Sequence, residues 1–153
     1  MATGVSVAAL PLWNEGLRFW EGLVHECREQ IQAINGVLTR CGRTADEQVE
    51  CSADEDLHLA RRQYPSTTID VQIRFEDWGP VLQVLITGLQ RAGFRFFPEE
   101  LEVPLARESD GNLVAVFDEG RSLSPRELAS YLTQHFRRCF PGIALPCSDA
   151  ALA

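Results

Sequence analysis

The chain has 153 residues, 45% of them hydrophobic and 24% charged, with a formal net charge of −8. That length and balance suit one globular domain around a single apolar core and exclude disorder along the whole chain. The negative charge sets the surface against nucleic acid, and because all fourteen basic residues are Arg, Schiff-base chemistry through a lysine is excluded as well.

Residues 1–12 are small and apolar and read as a flexible arm. They lack the basic segment and the apolar run of an export signal, and no stretch of the chain approaches the length of a membrane span. Neither export nor a membrane partner is expected. Five cysteines, Cys27, Cys41, Cys51, Cys139 and Cys147, form no CxxC pair and are odd in number. In a chain large enough to need no disulfide framework, they predict free thiols and a reducing cytoplasm.

A long helix is predicted over 15–40, with Asn14 as its cap and Gly42 as its stop. Trp20, Leu23, Val24, Cys27, Ile31, Ile34 and Leu38 recur at three-and-four spacing and fall within about 60° of Cys27 on a helical wheel. At 1.5 Å per residue the helix is about 39 Å long, enough to cross a sheet. Cys27 sits in mid-stripe, where a thiol behaves as a small hydrophobe, and His25 projects to the opposite side. The two cannot share a site.

Residues 43–65 are acidic and weakly periodic, with short strands allowed over 48–52 and 57–61. Asp46, Glu47, Glu50, Asp54, Glu55 and Asp56 predict a solvated loop, since the alternating ligands, central Gly and closing Glu of a calcium loop are missing. From Thr67 the signal sharpens. Ile69, Val71, Ile73 and Phe75 alternate with Asp70, Gln72, Arg74 and Glu76, the period of a strand with one wet face. Asp77-Trp78-Gly79-Pro80 has turn chemistry, and 81–87 returns as a partner strand.

Residues 89–100 read as a connection carrying Phe94, Phe96 and Phe97. Leu101, Val103 and Leu105 alternate with Glu102, Pro104 and Ala106, and Pro104 places an edge or a bulge there. Asp110-Gly111 is a hairpin signal leading into 112–117, after which 118–121 ends the sheet. Ser124-Pro125-Arg126-Glu127 is a capping box with Pro at the first helical position, and Leu123 can staple onto Leu128. Leu128, Ala129, Leu132, Phe136 and Cys139 form the apolar face of this second helix, which Pro141-Gly142 stops. Residues 143–153 read as a loose tail. The expectation is an α+β domain over 13–142: a long N-terminal helix, an antiparallel meander of four to six strands, and a capped C-terminal helix packed on the sheet.

No P-loop, dinucleotide GxGxxG, GxSxG elbow or HExxH occurs. Cys41, Cys51 and His58 have spacings that match no standard zinc module. The pairs Glu99 with Glu100 and Asp118 with Glu119 fall in segments read as wet loops, where nothing separates their pKa values. His135 flanks the second helix's stripe and reads as a satisfied, partly buried histidine. No catalytic residue, metal or cofactor is expected.

What is left over is surface. Val81 and Leu85 on one strand, and Val114 and Val116 on another, back the apolar positions of their own strands. If both helices lie on one face of the sheet, these four form an apolar patch with a polar rim; if the helices lie on opposite faces, they are core. Trp78, Phe94, Phe96 and Phe97 either fold back onto the core or anchor a partner. The leading expectation is a non-catalytic binding or scaffold protein acting on a protein partner or on itself as a homodimer. A carrier of small apolar ligands, with Trp20 and Phe117 lining a cavity between sheet and helix, is the alternative. An enzyme of unidentified class, using His58, His135 and the acidic loop, is the third.

Overall fold

In a computed structural model, the first helix, α1, spans Ala2–Arg40. The structure describes residues 2–61, 68–76, 81–90, 95–96, 99–108, 110–117, 120–137, 140 and 142–145, and for residues 2–14, 68, 88–90 and 95–96 it describes the backbone alone. The backbone of Asn14 therefore lies inside α1 and not at its start. Helical backbone runs back through the residues read as an arm, a stretch holding the strong helix formers Ala8, Ala9, Leu10 and Leu12.

The side of α1 that reaches the core is Phe19, Leu23, Cys27, Ile31, Ile34 and Leu38. Compared with the expected stripe, Phe19 is buried, whereas Trp20 and Val24 are half-buried at its margin. The helix is rolled toward the second helix, α2 (Pro125–Arg137), which packs along its flank. Gln30 sits on that flank, 7% exposed. Its Oε1 accepts hydrogen bonds from Thr133 Oγ1 at 2.9 Å and Ser130 Oγ at 3.3 Å, and its Nε2 donates to the Arg126 carbonyl at 3.3 Å. A buried amide in an apolar seam is tolerated because its groups are satisfied in this way.

A short 3₁₀ turn (Ala45–Glu47) follows α1. Arg43 Nη1 donates to Glu47 Oε2 at 2.7 Å, and this bond, helped by the Thr44 backbone N–H, holds the Glu47 carboxyl below its usual range. Asn35 then fastens the chain to α1, donating to the Val49 carbonyl at 2.8 Å and accepting from the Val49 N–H at 2.9 Å.

Among the described residues the sheet has eight antiparallel strands: β1 (Glu50–Ala53), β2 (Leu57–Arg61), β3 (Thr68–Glu76), β4 (Val81–Gln90), β5 (Arg95–Phe96), β6 (Glu99–Arg107), β7 (Leu113–Val116) and β8 (Ser122–Leu123). Their order is β1-β2-β3-β4-β6-β7-β8, with β5 pairing beside the end of β4. Two strands precede the first clear alternation, and β5 and β8 are two-residue additions, so the count exceeds the four to six expected. Glu99 and Glu100 open β6 instead of closing a loop.

Alternation along the strands makes one face dry. Leu57, Leu59, Val71, Ile73, Leu82, Val84, Ile86, Val103, Leu105, Ala115 and Leu123 join the buried faces of α1 and α2 in one cluster. Both helices therefore share one side of the sheet. Burying this set in place of leaving it in water is worth roughly 1.5 to 3 kcal/mol per large side chain.

Pro104 stands where two ladders meet. Glu99–Pro104 pairs with β4, and Leu105–Arg107 pairs with β7. The residue without an N–H falls at the end of one ladder, just before the other begins, which is how proline is accommodated in this strand. At the β6–β7 hairpin, Gly111 takes φ 92°, Asp110 Oδ1 accepts from the Asn112 N–H at 3.0 Å, and Arg107 forks onto Glu15 of α1 at 2.7 and 3.0 Å.

The α2 cap follows its sequence signature. Ser124 Oγ accepts from the Glu127 N–H at 3.2 Å, and Glu127 Oε1 accepts from the Ser124 N–H at 3.0 Å. Past α2, Phe140 is 2% exposed and lies under the guanidinium of Arg61, 4.5 Å from the ring centroid. Arg61, 4% exposed, closes β2 as a buried cation over an aromatic face. Ile143 and Leu145 also pack on the core, inside the segment read as a tail.

Two stability changes of opposite sign are expected in urea denaturation. Ser124→Ala removes a cap and lowers the unfolding free energy by about 1 kcal/mol. Gly36→Ala raises it by about 0.5 to 1 kcal/mol, because a Cβ there meets nothing closer than Arg40 Nη1 at 3.8 Å.

Candidate functional site

With both helices on one side, the other side of the sheet faces outward. The register lays out its rows. One row runs Ser52, His58, Gln72, Leu85, Glu100 across β1, β2, β3, β4 and β6; the next runs Arg74, Gln83, Glu102; a third runs Glu76, Val81, Pro104. Ala106 stands opposite Val114 on β6 and β7.

Of the patch expected from the sequence, Val81, Leu85 and Val116 lie half-buried and Val114 is 7% exposed. Val81 and Leu85 lie four positions apart on β4, an even spacing, so they share the outward face. Trp78, Phe94 and Phe97 lie outside the described residues, and Phe96 is described only by its backbone, which pairs with Leu89. Trp20 stacks on Phe75 at 6.2 Å between ring centroids and borders an open groove with Val24, His25, Arg28 and Ala53. Phe117 meets Tyr131 edge to face at 4.9 Å, with the Arg121 guanidinium 5.9 Å from its ring.

A concavity of about 260 Å³ opens on the outward face around Leu85, walled by Asp56, Gln72, Arg74, Glu76, Gln83 and Glu100. Asp56 belongs to the acidic turn between β1 and β2, and that turn is drawn against the sheet. Arg74 Nε and Nη2 each donate to an Asp56 carboxylate oxygen at 3.3 Å, and this contact holds the exposed guanidinium above its ordinary pKa. Glu100, read from the sequence as half of a wet carboxylate pair, is instead the cross-strand neighbour of Leu85. The signal that could have found it is the alternation of Leu101, Val103 and Leu105, which extends back one further step to Glu99 and puts Glu100 on the opposite face.

His58 Nε2 hydrogen-bonds to Asp70 Oδ1, and Ser52 lies directly opposite His58 in the ladder. Serine, histidine and aspartate thus stand on three adjacent strands. An acyl-transfer site needs in addition a sheltered nucleophile and N–H donors aimed at a developing oxyanion. Ser52 is exposed, and the β2 and β3 main chains are engaged in their ladders. The geometry supports a cross-strand hydrogen bond that ties β2 to β3. Among the described residues, no group of three or more His, Cys, Asp or Glu is placed to hold a metal ion, and no helix is long and apolar enough to cross a membrane.

Burial pushes the Cys27 thiol far above the ordinary range, with the neighbouring Cys51 and Glu26 adding to the effect, and burial also raises Cys51. Cys41 is exposed. A core thiol of this kind is inert as a nucleophile in the native state. Comparison of the chain with protein-family models, curated proteins and solved structures returned no match.

The thiols supply a pH prediction. A thiol held protonated in the folded state contributes stability that is fully present below its unfolded pKa and is lost as pH rises past it, because only the unfolded chain releases the proton. Between about pH 9 and 10, urea unfolding should show stability falling by up to about 1.4 kcal/mol per pH unit from Cys27. Cys27→Ala should flatten that slope. An unchanged slope would place the alkaline loss elsewhere. Among the described cysteines, mass spectrometry of native protein treated with a thiol reagent should find Cys41 labelled before Cys51, and Cys27 only on unfolding.

Proposed function

We propose that this is a non-catalytic binding or scaffold protein that engages a protein partner through the outward face of its sheet. The observation that carries the reading is the one-sided placement of the helices: it leaves Val81, Leu85 and Val116 only half-buried on a face that no described helix covers. Polar positions ring them, with Gln72, Arg74, Glu100 and Glu102 exposed. An apolar centre with a charged rim is the anatomy of a recognition surface. On the outward face β3 is polar throughout, with Asp70, Gln72, Arg74 and Glu76, whereas β4 alternates Val81 and Leu85 with Gln83 and Thr87.

A photo-crosslinking residue in place of Leu85, compared with one in place of the exposed Arg28 on α1, tests the reading in the producing cell. Adducts from position 85 and none from position 28 are expected, and an adduct of twice the chain's mass identifies the homodimer form. Val81→Arg should suppress the adducts from position 85, and Val81→Arg and Leu85→Arg should each suppress any dimer, while shifting unfolding by no more than about 0.5 kcal/mol, as surface substitutions do. Association unaltered by both changes sinks the proposal.

A further inference from the structure

We propose, resting on the sheet-face reading above, that the partner segment is cationic: an extended stretch carrying Arg or Lys beside an apolar residue, with one long basic side chain seated in the concavity around Leu85. Three features of that concavity converge on such an occupant. Its floor is apolar at Leu85, which suits the methylene stem of Arg or Lys. Its far wall is Glu100, the direct cross-strand neighbour of Leu85, placed to meet the charged head. Its size, about 260 Å³, suits one long side chain and not a folded surface.

The wider charge pattern agrees. Outward positions of β3 and β6 carry Asp70, Glu76, Glu100 and Glu102 against the single cation Arg74. Arg74 is already forked onto Asp56, and Asp70 is engaged by His58. Glu76, Glu100 and Glu102 form no ion pair among the described residues. The net field over the apolar floor is therefore negative, and the complementary surface is positive. A second copy of this chain is the poorer occupant, because a two-fold axis through this face sets its acidic surface against itself.

The test uses the full chain and two short labelled peptide probes, one alternating Arg and Val, the other alternating Glu and Val, followed by fluorescence anisotropy at low and high salt. The Arg/Val probe is expected to bind, to weaken as salt rises, and to lose about tenfold in affinity on Glu100→Gln/Glu102→Gln. Glu21→Gln/Glu29→Gln removes the same charge from exposed positions on α1 and should bind as the parent does. Gln72→Glu, which adds a carboxylate to the wall, should tighten binding, so the proposal does not rest on losses alone. Equal binding to both double variants, or no binding of the Arg/Val probe at all, overturns it. Binding of the Glu/Val probe that is lost on Leu85→Arg, or self-association lost on the same change, overturns the cationic partner and leaves the sheet-face reading standing. If Leu85→Arg alters neither probe binding nor self-association, and Val81→Arg leaves the crosslinks from position 85 unchanged, both readings fall together.

Discussion

The pairing of β3 with β4, continuous from Thr68 opposite Leu89 to Glu76 opposite Val81, decides which side of the sheet is dry. Side chains in strands alternate, so a slip of β3 by one residue against β4 would turn Val71 and Ile73 outward and bring Gln72 and Arg74 into the core beside Leu82 and Val84. Every neighbouring strand inherits its facing from this pair. The helices follow, since their stripes can be buried only against the side that the ladder has made apolar. The outward surface is a by-product of the same choice, and Leu85 is on it because Val84 and Ile86 are not.

Within the core, the seam between α1 and α2 is held in register by a polar contact. Gln30 reaches two hydroxyls of α2 and a carbonyl of its first turn, while Arg137 Nη1 donates to Thr133 Oγ1 at 2.9 Å from the next turn down. Sliding either helix by one turn would strand these groups in an apolar seam, at a cost of about 1 to 3 kcal/mol for each left unsatisfied. Leucine packing alone distinguishes such registers poorly. The amide contributes discrimination between alternatives more than it contributes stability.

Much of this was legible in the residues. The alternation from Ile69 to Glu76, the Asp110-Gly111 turn and the Ser124–Glu127 box each carry a local mechanism, and each formed as its mechanism requires. β1 and β2 were faint because burial along β2 does not alternate: Ala60 and Arg61 are both enclosed, and a buried arginine looks like a surface residue until Phe140 is known to cover it. The roll of α1 that buries Phe19 and leaves Trp20 at the margin has no local signal, since it is set by a helix a hundred residues away. The outward patch was visible as valines and a leucine in the wrong phase, but the decision between patch and core needed the helices to be placed. Glu100 was hidden by its neighbours, because three phenylalanines and a proline just before it resemble a connection.

Pro104 has a mechanical consequence. On one side of β6 the ladder to β4 ends at this residue, and on the other the ladder to β7 starts at the next. Tension applied across the sheet therefore cannot pass from β4 to β7 along a continuous row of hydrogen bonds; it must run lengthwise through the covalent backbone of β6. Where hydrogen bonding leaves that joint to the backbone of β6 alone, it is the apolar core that α1 and α2 share with both ladders that couples β1 to β4 with β7 and β8.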